Sequence, residues 1–188
     1  HGSAIAQVYN HMIMPLANLL DKITQVKWGI EEFKFRYQRN PEGMWLPETA
    51  CDEETLEVLV DEGIKFTLLA PHQAEAIRAI GSEEWSDVSQ ETLNTRAPYR
   101  CFLRKGSDKF IDIFFYDGNL AREVAFGPLV FEAKIFADRL ERAKSKEQRR
   151  SQLIHVATDG ETFGHHKAFG ERALAYLLEV EVPKRGFQ

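Results

Sequence analysis

Short apolar runs that end in turn-forming or polar residues, with helix-forming segments between them, recur along this 188-residue sequence. Residues 64–70 and 110–115 are rich in β-branched and aromatic side chains, as buried strands are. Residues 153–157 form a third run of this kind. Apolar residues at helical spacing predict helices over residues 52–63, 126–144 and 169–178. Because strands and helices alternate, the sequence predicts an α/β fold with a parallel sheet or barrel, whose functional residues collect at the carboxyl ends of the strands.

The composition is that of a globular protein, with 44% apolar and 28% charged residues. Lysine and arginine number 24 against 29 aspartate and glutamate, and a net charge of -5 argues against a nucleic-acid partner. No apolar run is long enough to span a bilayer and no signal-peptide pattern is present, so we expect a cytoplasmic protein without a membrane partner. Cys51 and Cys101 are too few for a disulfide scaffold and are predicted to be buried small hydrophobic residues.

Four polar residues follow the predicted strands at the point where each strand ends, and we expect them to share one rim: Glu48, His72, Asp117 and Asp159. An aspartate at such a position can instead cap the next helix or form a turn. Glu48 is the least ordinary of the four, because it lies among apolar neighbours, where a carboxylate needs a partner or a function.

The segment from Asp159 to His166 holds several potentially catalytic or metal-binding side chains close together, since Glu161 and His165 lie between its ends. One interpretation is a metal site, because imidazole and carboxylate groups are suitable ligands for zinc or iron. Adjacent histidines on a helix do not share a face, so the pair His165 and His166 argues against a metal site. The other interpretation pairs Glu48 with Asp159, as retaining glycosidases pair two carboxylates about 5 to 5.5 Å apart. We expect no metal and no cofactor.

Two segments, residues 41–48 and 157–166, resemble the third and fourth signature regions of glycoside hydrolase family 57. Residues 1–16 and 114–126 resemble two further segments of that family, in the same order along the chain. The similarity is greatest to the bacterial subgroup that carries an added domain of unknown function. The resemblance implies a retaining enzyme acting on α-glucan or maltooligosaccharide, of the amylase, 4-α-glucanotransferase or branching type.

The resemblance also implies a fold, an incomplete (β/α)7 barrel of the TIM-like type, and roles for individual residues. Glu48 would be the nucleophile and Asp159 the general acid and base, while Trp45 would lie under a sugar ring. Hydrogen bonds to sugar hydroxyls would come from His11, Asp117, His165 and His166. His72 and Glu161 complete the candidate substrate-binding set, although Glu161 can equally pair with a basic residue.

The family's first signature region is absent from this sequence, as is everything beyond the helix that follows the fourth region. We therefore expect residues 1–188 to be part of one catalytic barrel that lacks its first strand and its C-terminal remainder, with little or no activity alone. Two alternatives stay open: a catalytically inactive carbohydrate-binding fragment, and a metal-dependent polysaccharide deacetylase. The sequence does not indicate an oligomeric state.

Other aromatic and histidine residues are predicted to be structural. Trp28 and Phe33 belong to a helix-like segment and are expected in the core, and His155 is expected inside a strand. Trp85 is the exception, because it lies in a long polar connection of the kind that holds substrate-shaping residues, and it is a candidate contact for the glucan.

Overall fold

The computed structural model describes residues 2–90, 92–103, 108–147 and 151–188. The chain divides into two compact units, the first comprising residues up to 73 together with 98–115, and the second comprising 74–97 and 116–188. The strands are β1 (Ala6–Gln7), β2 (Gly43–Trp45), β3 (Phe66–Leu69), β4 (Ala76–Ile77), β5 (Ser86–Asp87), β6 (Tyr99–Phe102) and β7 (Phe110–Phe115). The α-helices are α1 (Leu19–Tyr37), α2 (Glu53–Asp61), α3 (Gly118–Phe126), α4 (Ala133–Arg142), α5 (Gly170–Tyr176) and α6 (Val182–Lys184).

The first unit is built on a mostly parallel sheet in the order β1-β2-β3-β7-β6. The first four of these strands pair in parallel, and β6 runs antiparallel to β7. Strand β7 has the predicted bounds, and β3 occupies the middle of the predicted run. The predicted α/β fold with a parallel sheet is therefore confirmed, and the carboxyl ends of β1, β2 and β3 lie at one edge of the sheet.

Helix α1 packs against β1 and α2, and it approaches β1 at a glycine. A Cβ atom on Gly29 would lie 2.1 Å from the carbonyl oxygen of Gln7, so the helix and the strand touch backbone to backbone. Phe33 is buried as predicted, whereas Trp28 is 52% exposed and stacks edge-on against Tyr9, so its predicted core position is wrong.

A buried lysine joins α1 to the start of α2. Lys22 is 1% exposed, and its ammonium group lies 2.9 Å from Asp52 and 2.8 Å from Glu54. Asp52 is also the N-cap of α2, since its carboxylate accepts a hydrogen bond from the backbone N–H of Thr55. Burial alone would lower the pKa of Lys22, but these two carboxylates hold its pKa above the usual value.

The second unit contains the β4–β5 hairpin and helices α3 to α6. Its apolar core includes Leu120, Val124, Val130, Phe136 and Leu177. Arg139 of α4 donates two hydrogen bonds from its guanidinium to the carboxylate of Glu123 on α3, which fixes the two helices to each other.

Two predicted elements of the second unit are wrong. The single helix predicted over 126–144 is divided into the end of α3, a 3-10 turn at Leu129–Phe131, and α4. Pro128 has no N–H to continue a helix, and the N–H of Gly127 bonds to Glu123 as α3 ends. The strand predicted over 153–157 is not formed, although His155 is half-buried as an internal residue would be. The helix predicted over 169–178 is confirmed by α5 and the π-helical turn Leu177–Glu181 that follows it.

The missing strand has a local explanation in its backbone partners. Leu153 donates its N–H to the carbonyl of Arg96, which lies in a turn, and His155 accepts from the N–H of Asp117, which caps a helix. Neither partner belongs to a strand, so the two hydrogen bonds do not extend into a ladder.

The cysteines are half-buried rather than fully buried as predicted. Burial raises the pKa of both thiols, and the nearby charge of Asp52 contributes at Cys51, whose pKa rises to about 11. Within the described ranges, none of the helices combines the length and apolar character needed to cross a bilayer.

Candidate active site

Three of the sequence-predicted site residues lie directly after neighbouring parallel strands of the first unit. His11 follows β1, Glu48 lies in the 3-10 turn Pro47–Thr49 after β2, and His72 lies in the 3-10 turn Pro71–Gln73 after β3. Since β1, β2 and β3 are adjacent and parallel, these residues lie at one edge of the sheet. The sequence analysis expected Glu48 and His72 at a common rim, but not His11. His72 is exposed there.

The turn that carries Glu48 has a strained backbone. Glu48 has φ 55° and Thr49 has φ 52°, a left-handed conformation that is uncommon for residues other than glycine. Such a conformation costs on the order of 1–3 kcal/mol per residue and persists only where the surroundings hold it. Two backbone hydrogen bonds close the turn, from Thr49 to Leu46 and from Ala50 to Pro47.

The strained turn leaves the Glu48 side chain open to solvent. Leu46, Pro47 and Thr49 are buried, but the side chain of Glu48 is 68% exposed. The prediction that Glu48 is embedded among apolar neighbours is therefore wrong for its carboxylate, although it is right for the backbone around it. The buried neighbours hold the turn, and the carboxylate lies at the surface.

His11 is the side chain that contacts this carboxylate. Its Nε2 atom lies 2.9 Å from Oε1 of Glu48, and its side chain is 71% exposed. An ionised carboxylate only accepts hydrogen bonds, so with Glu48 in that form the tautomer of His11 that fits this contact carries its proton on Nε2. The segment that carries His11 is held by Gln25 of α1, whose buried side chain accepts from the N–H of Asn10 at 2.8 Å.

Gln25 and Gln73 are two residues of this site that the sequence analysis missed. Gln25 was detectable as a polar residue at helical spacing from Phe33, four positions before Gly29 and eight before Phe33 on the buried face of α1. Gln73 directly follows the strand-end residue His72, and its side chain bonds to the backbone at Thr49 and Ala70. Nothing in the sequence around Gln73 indicates those partners.

Trp45 is half-buried in β2, three positions before Glu48. Its carbonyl accepts the N–H of Val8 in the pairing of β1 with β2. The backbone of Trp45 therefore belongs to the sheet, and the residue as a whole is neither fully buried nor fully exposed.

Asp117, in the second unit, is a helix cap. It follows β7 in sequence, and its carboxylate accepts a hydrogen bond from the N–H of Leu120 at 2.9 Å. This is the ordinary structural use of an aspartate after a strand, and it is the helix-capping alternative that the sequence analysis left open for such a residue.

Asp159 differs from Asp117 because it precedes a helical turn without capping it. It lies directly before the 3-10 turn Gly160–Thr162, and its side chain makes no capping hydrogen bond. Asp159 and Glu161 are both exposed. The carboxylate of Asp159 is therefore not occupied by the turn that it precedes.

His165 and His166 lie in a turn rather than on a helix, contrary to the premise of the sequence analysis. A backbone bridge between Phe163 and Lys167 closes the turn, and the two imidazole rings lie 4.9 Å apart, centroid to centroid. Both are exposed. Across the described parts of the chain, no group of three or more histidine, cysteine, aspartate or glutamate side chains is arranged to hold a metal ion.

The profile of glycosyl hydrolase family 57 matches residues 3–188. No curated protein sequence matches the chain.

Several solved structures share its fold. They include a 4-alpha-glucanotransferase from Thermococcus litoralis, with 18% identity and a TM-score of 0.64 over 93% of this chain and 25% of that one. A GH57 branching enzyme from Thermococcus kodakaraensis has 18% identity and a TM-score of 0.71, over 98% of this chain and 44% of that one. The alpha-amylase AmyC from Thermotoga maritima has 14% identity and a TM-score of 0.63, over 94% and 45%. The chain thus spans less than half the length of each of these TIM-like barrel enzymes, and it shares the fold of the part that it covers, a partial (β/α) fold with a mostly parallel sheet.

Proposed function

The chain belongs to glycosyl hydrolase family 57, and on that premise we propose that it carries a retaining active site for α-glucan, with Glu48 as the nucleophile and Asp159 as the general acid and base. Residues 1–188 would form part of one catalytic barrel. The observation that carries the proposal is the Glu48 turn. It combines an exposed carboxylate, a strained backbone and a histidine at 2.9 Å at the carboxyl end of a parallel strand.

Each of these features suits a nucleophile. An exposed carboxylate can reach an anomeric carbon, and a backbone held by its surroundings fixes the direction of attack. The N–H of His11 keeps one oxygen of Glu48 oriented, which leaves the other oxygen to form the bond to carbon. Strained non-glycine residues concentrate at sites where such positioning matters.

Asp159 suits the second role because its carboxyl group is not used by the turn that it precedes. A general acid must present a proton to the leaving oxygen and take one back in the next step, which a carboxylate engaged in capping cannot do. Asp117, which caps α3, lacks that freedom.

The proposed reaction has two displacements. In the first, an oxygen of Glu48 bonds to the anomeric carbon, the glycosidic bond breaks, and Asp159 gives its proton to the departing oxygen. In the second, Asp159 takes a proton from water or from the hydroxyl of an acceptor sugar, whose oxygen bonds to the same carbon and releases Glu48. Two inversions leave the α configuration unchanged.

We infer an α-glucan substrate because the structures that share the fold are a 4-alpha-glucanotransferase, a branching enzyme and an amylase. His72, Glu161, His165 and His166 are exposed, which is compatible with hydrogen bonds to sugar hydroxyls. Trp45 is proposed as a stacking surface for a sugar ring.

The test compares Glu48→Gln with Glu31→Gln in the active protein that contains residues 1–188. Glu31 is an exposed glutamate of α1 whose ion pair with Lys34 is a surface contact of little energetic weight. We expect Glu48→Gln to lower kcat on maltooligosaccharide by about 10³-fold or more and Glu31→Gln to leave it unchanged. Proton NMR of the first product should show the α anomer. A β product, or full activity in Glu48→Gln, would contradict the proposal.

A further inference from the structure

Gln73 joins the turn that carries Glu48 to the end of the neighbouring strand. Its Nε2 atom donates a hydrogen bond to the carbonyl oxygen of Thr49 at 2.8 Å. Its Oε1 atom accepts a hydrogen bond from the N–H of Ala70, also at 2.8 Å. One amide side chain thus connects the residue after Glu48 to the residue after β3.

The orientation of this amide is fixed by the chemistry of its partners. The N–H of Ala70 can only donate, so it must face the oxygen of the Gln73 side chain. The carbonyl of Thr49 can only accept, so it must face the NH₂ group. Rotating the amide by 180° would place donor against donor and acceptor against acceptor, and both hydrogen bonds would be lost.

Gln73 is itself anchored to the strand end. Its backbone N–H donates to the carbonyl of Ala70 at 3.0 Å, so backbone and side chain together bind both polar groups of Ala70. Because β3 is a central strand with partners on both sides, this anchor is rigid. The bond from Gln73 to Thr49 therefore ties the turn to a fixed point in the sheet.

The carbonyl of Thr49 belongs to the second of the two left-handed residues. Relaxation of Thr49 toward an ordinary backbone conformation would turn its carbonyl away from Gln73. The same relaxation would move Glu48 relative to His11, whose Nε2 atom lies 2.9 Å from its carboxylate. The hydrogen bond from Gln73 opposes that relaxation.

We propose that Gln73 is a positioning residue for Glu48, holding the strained turn so that the carboxylate stays against His11. The inference rests on the proposed role of Glu48 as nucleophile. Gln73 touches neither the substrate nor the reacting atoms in this role, because both ends of its amide are bound to the backbone.

The experiment uses two substitutions that remove different hydrogen bonds. Gln73→Glu keeps an acceptor for the N–H of Ala70 but places a carboxylate oxygen against the carbonyl of Thr49. Gln73→Met removes both bonds at nearly the same side-chain length. The matched control is Gln38→Met, which removes a glutamine that donates to the carbonyl of Phe35 at the end of α1.

Two kinds of measurement are made on each variant of the active protein. Crystal structures give φ at residues 48 and 49 and the distance from Nε2 of His11 to Oε1 of Glu48. Kinetics on maltooligosaccharide give kcat and KM, and a fluorinated glycosyl fluoride followed by mass spectrometry gives the rate of covalent labelling of Glu48.

Both variants at residue 73 should lose the left-handed turn and lengthen the contact with His11. They should lower kcat and the labelling rate by about 10²-fold with KM little changed, because the carboxylate is misplaced while sugar binding is not. Gln38→Met should behave as the unsubstituted protein. Retention of the turn, of the 2.9 Å contact and of kcat in Gln73→Glu would overturn the proposal.

The labelling experiment distinguishes failure of the proposed nucleophile, Glu48, from failure of the proposed positioning residue, Gln73. If the unsubstituted protein is not labelled at Glu48, the proposed nucleophile is wrong, and the crystal structures still decide whether Gln73 holds the turn. If the unsubstituted protein is labelled and Gln73→Glu is labelled at the same rate, Glu48 remains the nucleophile and the role of Gln73 is wrong.

Discussion

Three carboxylate residues that follow strand-like runs in the sequence are used in three different ways. Asp117 caps a helix, Asp159 precedes a turn without capping it, and Glu48 projects into solvent from a strained backbone. The difference lies in the residues that follow. After Asp117 a regular helix presents its free N–H groups to the carboxylate, whereas a short 3-10 turn follows Asp159 and left-handed backbone follows Glu48.

At the residue scale, we predict that Cys51 is chemically inert at neutral pH. Burial and the nearby charge of Asp52 raise the pKa of the thiol to about 11, and only the thiolate is nucleophilic. Two pH units separate that value from the ordinary 9.0, so at pH 8 alkylation by iodoacetamide should be about 100-fold slower than for a free cysteine. Mass spectrometry of the labelled peptide measures the rate.

The unfolded protein in urea is the control for Cys51, since it has the same thiol without burial. Rapid labelling there and slow labelling of the folded protein would agree with the expected effect of burial. Equal rates in the two states would show that the thiol is open to solvent in the folded protein.

At the scale of elements, Asp117 offers a test that separates capping from substrate binding. Asp117→Ala should lower the free energy of unfolding by about 0.5–2 kcal/mol, because it removes the cap of α3. Asp117→Asn keeps a capping oxygen and should retain most of the stability. Urea unfolding measures the stability, and calorimetric titration with maltooligosaccharide measures binding.

If Asp117→Asn is stable but binds sugar more weakly than the unsubstituted protein, the carboxylate also contributes to substrate binding, as the family resemblance implies. An equal loss of stability in the Ala and Asn variants would show that capping is not what Asp117 contributes.

The connection between α1 and α2 predicts a pH-dependent contribution to stability. Burial alone would raise the pKa of Asp52, but hydrogen bonds from Thr55 and Lys22 and the charge of Lys22 hold that pKa below its usual value. A carboxyl group with a lowered pKa contributes stability above its unfolded pKa of about 3.9, and the contribution is lost as the pH falls through the lowered value.

Asp52→Asn keeps the helix cap and removes the charge. After allowance for solvent screening of this partly exposed carboxylate, we expect a loss of about 1–2 kcal/mol in the free energy of unfolding at pH 7. The difference should shrink as the pH falls below the unfolded pKa of about 3.9 and through the lowered pKa of Asp52, which urea unfolding across pH measures. Asp61→Asn, which removes an exposed partner of Lys109, should cost little at any pH. A pH-independent loss in Asp52→Asn would contradict the ionic explanation.

The sequence predicted elements well where the determinants are local and poorly where they are not. Strand β7 is apolar except for Asp112 and is followed by turn-forming residues, and its bounds were predicted residue for residue. Residues 153–157 have an equally apolar run, but a strand requires a partner strand, and their backbone bonds go to a turn and a helix cap. Gly127 and Pro128 indicated that residues 126–144 would not form a single helix. The prediction followed the helical spacing of the apolar residues instead and missed this break.

In the candidate site, too, features with local determinants were predicted and features with distant partners were not. Glu48 and His11 were found from motif segments, and the structure brings them within hydrogen-bond distance. Gln25 and Gln73 support these two residues through hydrogen bonds to the backbone of Asn10 and Thr49, which lie far from them in the chain. No local sequence pattern indicates such partners. The reactive groups of a site can thus be predicted from sequence more easily than the residues that hold them in place.

At the scale of the whole molecule, the proposed reaction uses two carboxylates and no metal ion in any step. Incubation of the active protein with EDTA should therefore leave the rate of glycosidic cleavage unchanged. A loss of activity that zinc restores would instead favour the deacetylase alternative, in which a metal ion activates the attacking water. Release of acetate and cleavage of the glucan, measured on the same samples, separate the two reactions.

The contact between Gly29 and Gln7 has a consequence for the mutational tolerance of the chain. Any side chain at position 29 would push α1 off β1, and with it the segment that carries His11. Gly160 has open space around its Cα and an ordinary backbone conformation, so it can accept alanine without a clash. A saturation library selected only for folded protein should therefore retain glycine at position 29 and diversify at position 160, so two identical residues would have opposite substitution spectra.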